Sequence, residues 1–170
     1  MSFSNSNINI EHLPTVDVSN LKRISKSFLK VVAFNRVIFY IILIGLCIGL
    51  KFLIREDGFQ NYFWYGIIAL LLFFMVDFVI AVLAFKRRKY ALREHDVIYS
   101  KGLIVFYRIT IPLNRVQHVE VSQSWLERYL KLASLKIYTA GESGGDLRIR
   151  GLENETAQSM NAYISSRINA

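Results

Sequence analysis

A two-helix membrane hairpin followed by a mainly β domain with a closing C-terminal helix is the fold class this sequence predicts. Three observations predict it. Two long apolar runs, from about Val37 to Leu53 and from Phe63 to Phe85, are each fenced by basic residues on the same side. After Lys89 the apolar residues stop running continuously and alternate with polar ones, the period of half-buried strands. From Glu155 onward they recur every three to four residues, the period of an amphipathic helix.

Residues 1–30 read as a polar N-terminal segment. Within it, Leu21 to Leu29 is expected either as a short amphipathic helix on the membrane surface or as a basic flank that only sets topology. Residues 31–54 and 62–85 are the expected transmembrane helices, joined by an external link at 55–61. At about 1.5 Å per residue the two apolar runs reach roughly 25 and 34 Å, against a hydrocarbon core of about 30 Å. Lys22, Arg23, Lys26, Lys30 and Arg36 precede the first span, and Lys86-Arg87-Arg88-Lys89 follows the second. The charges around the link, Lys51, Arg55, Glu56 and Asp57, cancel. Basic residues are retained on the cytoplasmic side during insertion, so both termini are expected there and only the link outside. Tyr62, Trp64 and Tyr65 stand where an interfacial aromatic belt belongs. The first apolar run begins too late, and lacks a small-residue cleavage pattern, for a cleaved signal peptide to be expected.

Residues 86–170 are the expected cytoplasmic domain. Tyr90–Leu92 and Val97–Tyr99 read as strands around a turn at Glu94-His95-Asp96, and Lys101-Gly102 ends the second. Arg108–Ile111 and Gln117–Val121 alternate with period two, and Pro112 between them ends a strand. Ser124–Leu130 is helix-like, with Ser124 as its cap. Leu135–Thr139 and Leu147–Arg150 are two more strands, with Gly141, Gly144 and Gly145 in the turn between them. In the final helix, Glu155 to Ile168, Ala157, Met160, Ile164 and Ile168 share one face. Glu153 and Glu155 lie at its positive end.

The formal charge of the 170 residues is +8, and from Lys86 onward 14 basic residues stand against 8 acidic ones. That charge lies on the side facing an anionic leaflet, where each basic residue near the surface is worth about 1 kcal/mol. A tethered domain with no basic amphipathic helix and no zinc framework is not expected to bind nucleic acid. His12, His95 and His118 have no ligand-type neighbours at metal spacing, so no metal is expected. Cys47, the one cysteine, lies inside the first span and reads as a small hydrophobe. The stretch Gly141-Glu142-Ser143-Gly144-Gly145 lacks the Lys-Ser/Thr of a phosphate-binding loop, and no base or elbow motif surrounds Ser143. No catalytic residue and no cofactor is expected.

The order of short motifs resembles the YdbS-like bacterial membrane proteins, which carry a bacterial pleckstrin-homology domain of the second type. Tyr90-x-Leu92 opens the domain and Ser100-Lys101-Gly102-Leu103 follows its second strand. Ile111-Pro112-Leu113-Asn114-Arg115-Val116-Gln117-His118-Val119 is similar to that family's Ile-Pro-x-x-Arg-Ile-Gln stretch. Gln123-Ser124-Trp125-Leu126-Glu127-Arg128, then Leu132-Ala133-Ser134-Leu135, looks like its Gln-Ser-x-x-x-Arg and Gly-Leu-Ala region, with Lys131 where the family has glycine. Thr139-Ala140-Gly141 and Ile149-Arg150-Gly151-Leu152 complete the set, while Phe3-Ser4-Asn5 and Leu13-Pro14 resemble longer members. The resemblance implies a bent antiparallel sheet of about seven strands with a C-terminal helix, in a bacterial cytoplasmic (inner) membrane. It also implies partnership with a larger relative bearing several such domains, no enzymatic activity and no settled ligand. Fold alone does not confer phosphoinositide binding, and Lys89, Arg93 and Lys101 only loosely match the cluster of the lipid-binding eukaryotic version.

Three constellations are candidate sites. Lys86, Arg87, Arg88 and Lys89 form a basic cluster at the membrane surface. Asp77 lies roughly 12 Å inside the second span, a depth at which an acid costs about 2.5–3.5 kcal/mol. Its default reading is a protonated acid beside Ser, Tyr or backbone, with Arg36 snorkelling to the headgroups. The alternatives are an Arg36–Asp77 pair that fixes the hairpin's register, or a proton or ion path. Arg148 and Arg150 share one strand face. If Arg108 and Lys136 share it too, the surface would meet anionic headgroups or an acidic partner, the plainer reading being a solvated face. Trp125 and Tyr129 are expected to pack on the domain, and Gly45 and Gly49 form a small-xxx-small pair. The function these features suggest is a non-catalytic, membrane-anchored assembly module in a homo-oligomer or with a larger relative. An anionic-lipid headgroup sensor is the alternative, and a transporter component built on Asp77 a third.

Overall fold

The structure, a computed structural model, describes residues 21–54, 57–140 and 146–168. The first twenty residues, Arg55 and Glu56 of the link, and the Gly141–Gly145 turn with Ser143 lie outside the described residues. Strand β1 (Lys22–Arg23) precedes two long helices, α1 (Phe28–Leu53) and α2 (Asp57–Lys86). There follow β2 (Lys89–Leu92), β3 (Asp96–Lys101), β4 (Tyr107–Pro112), a 3-10 turn at Leu113–Arg115 and β5 (Val116–Ser122). Helix α3 (Trp125–Tyr129), β6 (Leu132–Thr139), β7 (Leu147–Glu153) and α4 (Asn154–Ile168) complete the domain.

Both long helices are apolar enough to cross a membrane, and most of their side chains have no protein cover. Tyr40, the one well-buried residue in the middle of α1, packs on Phe74 of α2 with ring centroids 4.7 Å apart. At the far end Gln60 donates to the carbonyls of Lys51 and Ile54 at 2.9 and 2.8 Å, satisfying acceptors that the end of α1 leaves open. The ammonium of Lys51 lies 4.6 Å from the Trp64 ring. Helix α2 begins at Asp57, so residues 57–61 of the link expected over 55–61 are helical.

The domain is two antiparallel sheets, β1-β2-β3-β4 and β5-β6-β7, with α4 closing one side through Ala157, Met160 and Ile164. Alternation does the sorting: Leu147 and Ile149 of β7 are buried while Arg148 and Arg150 are exposed. Val97, Leu135, Ile137, Ile149, Leu152 and Ile164 form the centre of the core.

The domain is not confined to residues 86–170. Ile24, Phe28 and Val31 from before and within α1, and Phe85 from the end of α2, belong to the same buried cluster. The Leu21–Leu29 segment is therefore neither a separate short helix nor a flank that only sets topology. Lys22 and Arg23 pair with Tyr90 and Lys89, and the amide of Ser25 donates to the Gly151 carbonyl at 3.1 Å. The physical reason is that its apolar residues Leu21, Ile24 and Phe28 are all buried, Ile24 and Phe28 within the core of the domain. The spans and the domain are thereby one packed unit.

Candidate functional site

The first two turns of α1 run past β7 and α3, and the space left between them is a polar groove of about 310 Å³. Phe28, Val31 and Val32 form its apolar wall. Asn35, Arg36, Arg88, Ser124, Glu127, Arg148 and Arg150 supply the polar lining. Close approach of α1 depends on Gly151, at φ +81°. A Cβ there would overlap the ring root of Phe28 and stand 2.7 Å from Ile24 Cγ2. Arg88 is placed by the short turn between α2 and β2, with its guanidinium 5.9 Å from the Phe28 ring. Arg148 and Arg150 are placed by the outward alternation of β7.

The acid in the groove is already engaged. Ser124 and Glu127 form a capping box: the Ser124 amide donates to Glu127 Oε2 at 2.8 Å and the Glu127 amide donates to Ser124 Oγ at 3.3 Å. Ser134 Oγ donates to Glu127 Oε1 at 2.9 Å, so both oxygens of this buried carboxylate have partners. Arg36 donates to Asp77, and the Tyr40 hydroxyl faces that same carboxylate. Among the described residues Arg88, Arg148 and Arg150 form no ion pair. Burial pushes the Tyr99 hydroxyl above its ordinary range, and the positive charges of Arg88 and Arg150 nearby oppose that rise. Chemically, the groove is a fork of guanidinium donors over an apolar wall, suited to a phosphate-type oxyanion.

The remaining sequence candidates are placed as follows. Lys86 ends α2, Arg87 and Arg88 make the turn, and Lys89 opens β2; of these four only Arg88 lines the groove. Lys136 lies across from Arg148 in the β6–β7 ladder, but its ammonium donates to the Tyr138 hydroxyl at 2.7 Å, and that hydroxyl donates to Glu120 at 2.9 Å. The Tyr138 hydrogen bond raises the Lys136 pKa. Arg108 does not share this face. It belongs to β4 in the other sheet and lies over the Phe106 ring at 5.5 Å. Trp125 and Tyr129 do not pack on the domain either, being 70% and 82% exposed. The capping box and the Glu127–Ser134 bond turn the opposite side of α3 inward, with Leu126 and Leu130 against the core. Trp125 instead meets Phe34 of α1 edge-on at 5.3 Å.

Two residues that build the groove escape a reading by residue type alone. Glu127 was detectable from the Ser124-x-x-Glu127 capping pattern. Nothing local in the sequence marks Gly151 as the seat of α1, because its partner Phe28 is more than a hundred residues away. Among the described residues no group of three or more His, Cys, Asp or Glu is placed to hold a metal.

The model of the family described as "Bacterial PH domain" matches residues 28–168. The chain belongs to the bacterial PH-domain family. It is similar to UPF0699 transmembrane protein YdbS of Bacillus subtilis (strain 168), 35% identical over 88 residues, which is 52% of this chain and 54% of that protein. The chain thus matches about half the length of this curated relative. No solved structure matches. The chain is a YdbS-like bacterial membrane protein with a PH-like domain, and the groove lies where that domain joins its transmembrane helices.

Proposed function

We propose that this protein is a non-catalytic, membrane-anchored module. Its PH-like domain sits at the cytoplasmic face of a bacterial inner membrane and holds the phosphate of an anionic lipid headgroup in the arginine groove. The observation that carries this reading is the convergence of Arg88, Arg148 and Arg150, without acidic partners among the described residues, beside the segment where α1 leaves the domain. Three cations held at a polar–apolar boundary suit a ligand whose phosphate is charged and whose tails remain in lipid. Orientation rests on the basic flanks of the two spans. The test is to incorporate the full-length protein into nanodiscs of mixed phosphatidylethanolamine and phosphatidylglycerol, strip them gently, and count retained lipids by native mass spectrometry. Wild type should retain phosphatidylglycerol in preference, and Arg148→Gln/Arg150→Gln should lose the preference. Equal retention by both would remove the site.

A second reading, assembly with a second copy or a larger relative through the spans, has one observation in its favour. A Cβ added at Gly45 or Gly49 meets nothing within 4 Å, so this face of α1 is open to another helix. The same mass measurement reports it as a defined oligomer, whose stability is insensitive to salt while headgroup docking weakens with it.

A further inference from the structure

The β3–β4 connection is an apolar tip without cover. Ile104 is 88% exposed, and Val105, Phe106 and Tyr107 are each more than half exposed. Its place in the sheet gives this meaning. Only two residues separate the end of α2 from strand β2, and Lys89 at the start of β2 pairs with Ser100, next to the last residue of β3. Lys101 then pairs with Tyr107, so residues 102–106 project from the end of the sheet nearest the spans. The opposite end carries the Arg93–Asp96 turn, closed by a bidentate ion pair at 2.7 and 2.9 Å.

Charge is partitioned in the same way, Arg93 at the far turn being neutralised by Asp96. Lys89, Lys101 and Arg108 flank the tip, and the acids of this sheet, Glu94 and Asp96, lie at the far turn. Gly102 fixes the tip's shape. At φ +115° it closes on the Val105 carbonyl, and a Cβ there would overlap that oxygen and come within 3.1 Å of Phe106 Cα. A preformed apolar projection, ringed by cations and set on the membrane side of a tethered domain, matches the two-part recognition of an anionic bilayer surface.

We propose that Ile104, Val105 and Phe106 insert into the headgroup–acyl boundary of the leaflet on the domain's own side, giving the domain a third attachment beside its two helices. None of these residues lines the arginine groove, so this inference stands or falls separately from headgroup binding there. The test places one nitroxide label at a time in full-length protein carrying Cys47→Ala, reconstituted in phosphatidylglycerol–phosphatidylethanolamine vesicles. One label goes at Ile104→Cys and a reference label at Glu94→Cys on the distal turn. The tip label should collide with an aqueous nickel chelate several-fold less often than the reference, yet collide freely with lipid-dissolved oxygen. Equal nickel access at the two positions would place the tip in water and overturn the proposal. Protection from nickel and oxygen alike would mean a protein surface covers the tip, and would overturn it too. The near-complete exposure of Ile104 means the label disturbs no packing.

Discussion

Replacing Gly151 by alanine tests whether the domain and the first span are one packed unit. The perturbation is one methyl group at a position with φ +81°. An L-residue in that region costs about 1–2 kcal/mol. The methyl also overlaps Phe28 at its ring root and stands 2.6 Å from Phe28 Cβ and 2.7 Å from Ile24 Cγ2. Those atoms lie near the backbone, so α1 itself must shift, and overpacking of this kind costs about 1–3 kcal/mol. The expected loss is about 2–5 kcal/mol, a large share of the 5–15 kcal/mol typical of a domain. The assay is urea unfolding of full-length protein in mild detergent, followed by Trp125 emission in a Trp64→Phe background, since Trp125 touches Phe34 on α1. Adding Phe28→Ala should recover part of the loss, because the two substitutions meet at one contact. A loss below about 0.5 kcal/mol, or strict additivity with Phe28→Ala, would refute the joint as described.

Further predictions follow from other contacts. Asp77→Asn should destabilise the hairpin by about 1–3 kcal/mol by leaving Arg36 without its partner, and adding Arg36→Gln should cost little more; a double-mutant cycle in detergent unfolding checks this, and full additivity would dissolve the pair. Lys131 sits at φ +55°, the left-handed region that glycine enters without steric cost, so Lys131→Gly should stabilise the domain by about 1 kcal/mol, read as a raised unfolding midpoint. Ser124→Ala removes the α3 cap and should cost about 0.5–2 kcal/mol in the same assay. Burial raises the pKa of Tyr90 and Tyr99 above 10.0, so the stability they contribute is full below pH 10.0 and falls as pH rises through the higher folded values. Tyr90→Phe/Tyr99→Phe should flatten that alkaline decline in a pH series of unfolding midpoints.

The parts of the fold governed by period were legible in the residues. Continuous apolarity marked both long helices, and alternation marked β4, most of β5 and the first half of β7, because one-sided burial imposes those patterns directly. Strand β1 was not legible: two charged residues carry no pattern, and their pairing with β2 is set by where α1 and α2 return the chain. The orientation of α3 runs against its residue types: Trp125 and Tyr129 are its largest apolar residues, whereas Glu127, held by its own cap and by Ser134, decides which side faces in. Arg148 and Arg150 shared a face by spacing alone. Their meeting with Arg88 and Arg36 required Gly151 to admit α1, a contact between distant segments that no local pattern records. Lys131 is a further case: a lysine carries no signal of the left-handed conformation, φ +55°, that the chain adopts there.

The central claim, that the arginine groove holds an anionic headgroup, is tested most directly by where such a headgroup lies. A phosphatidylglycerol analogue with a photoreactive headgroup, incorporated with the full-length protein and mapped by peptide mass spectrometry, reports that position. The account predicts crosslinks concentrated on Phe28–Arg36, Arg88 and Arg148–Arg150, and lost in Arg148→Gln/Arg150→Gln. Crosslinks spread evenly around both spans, and unchanged by those substitutions, would contradict it.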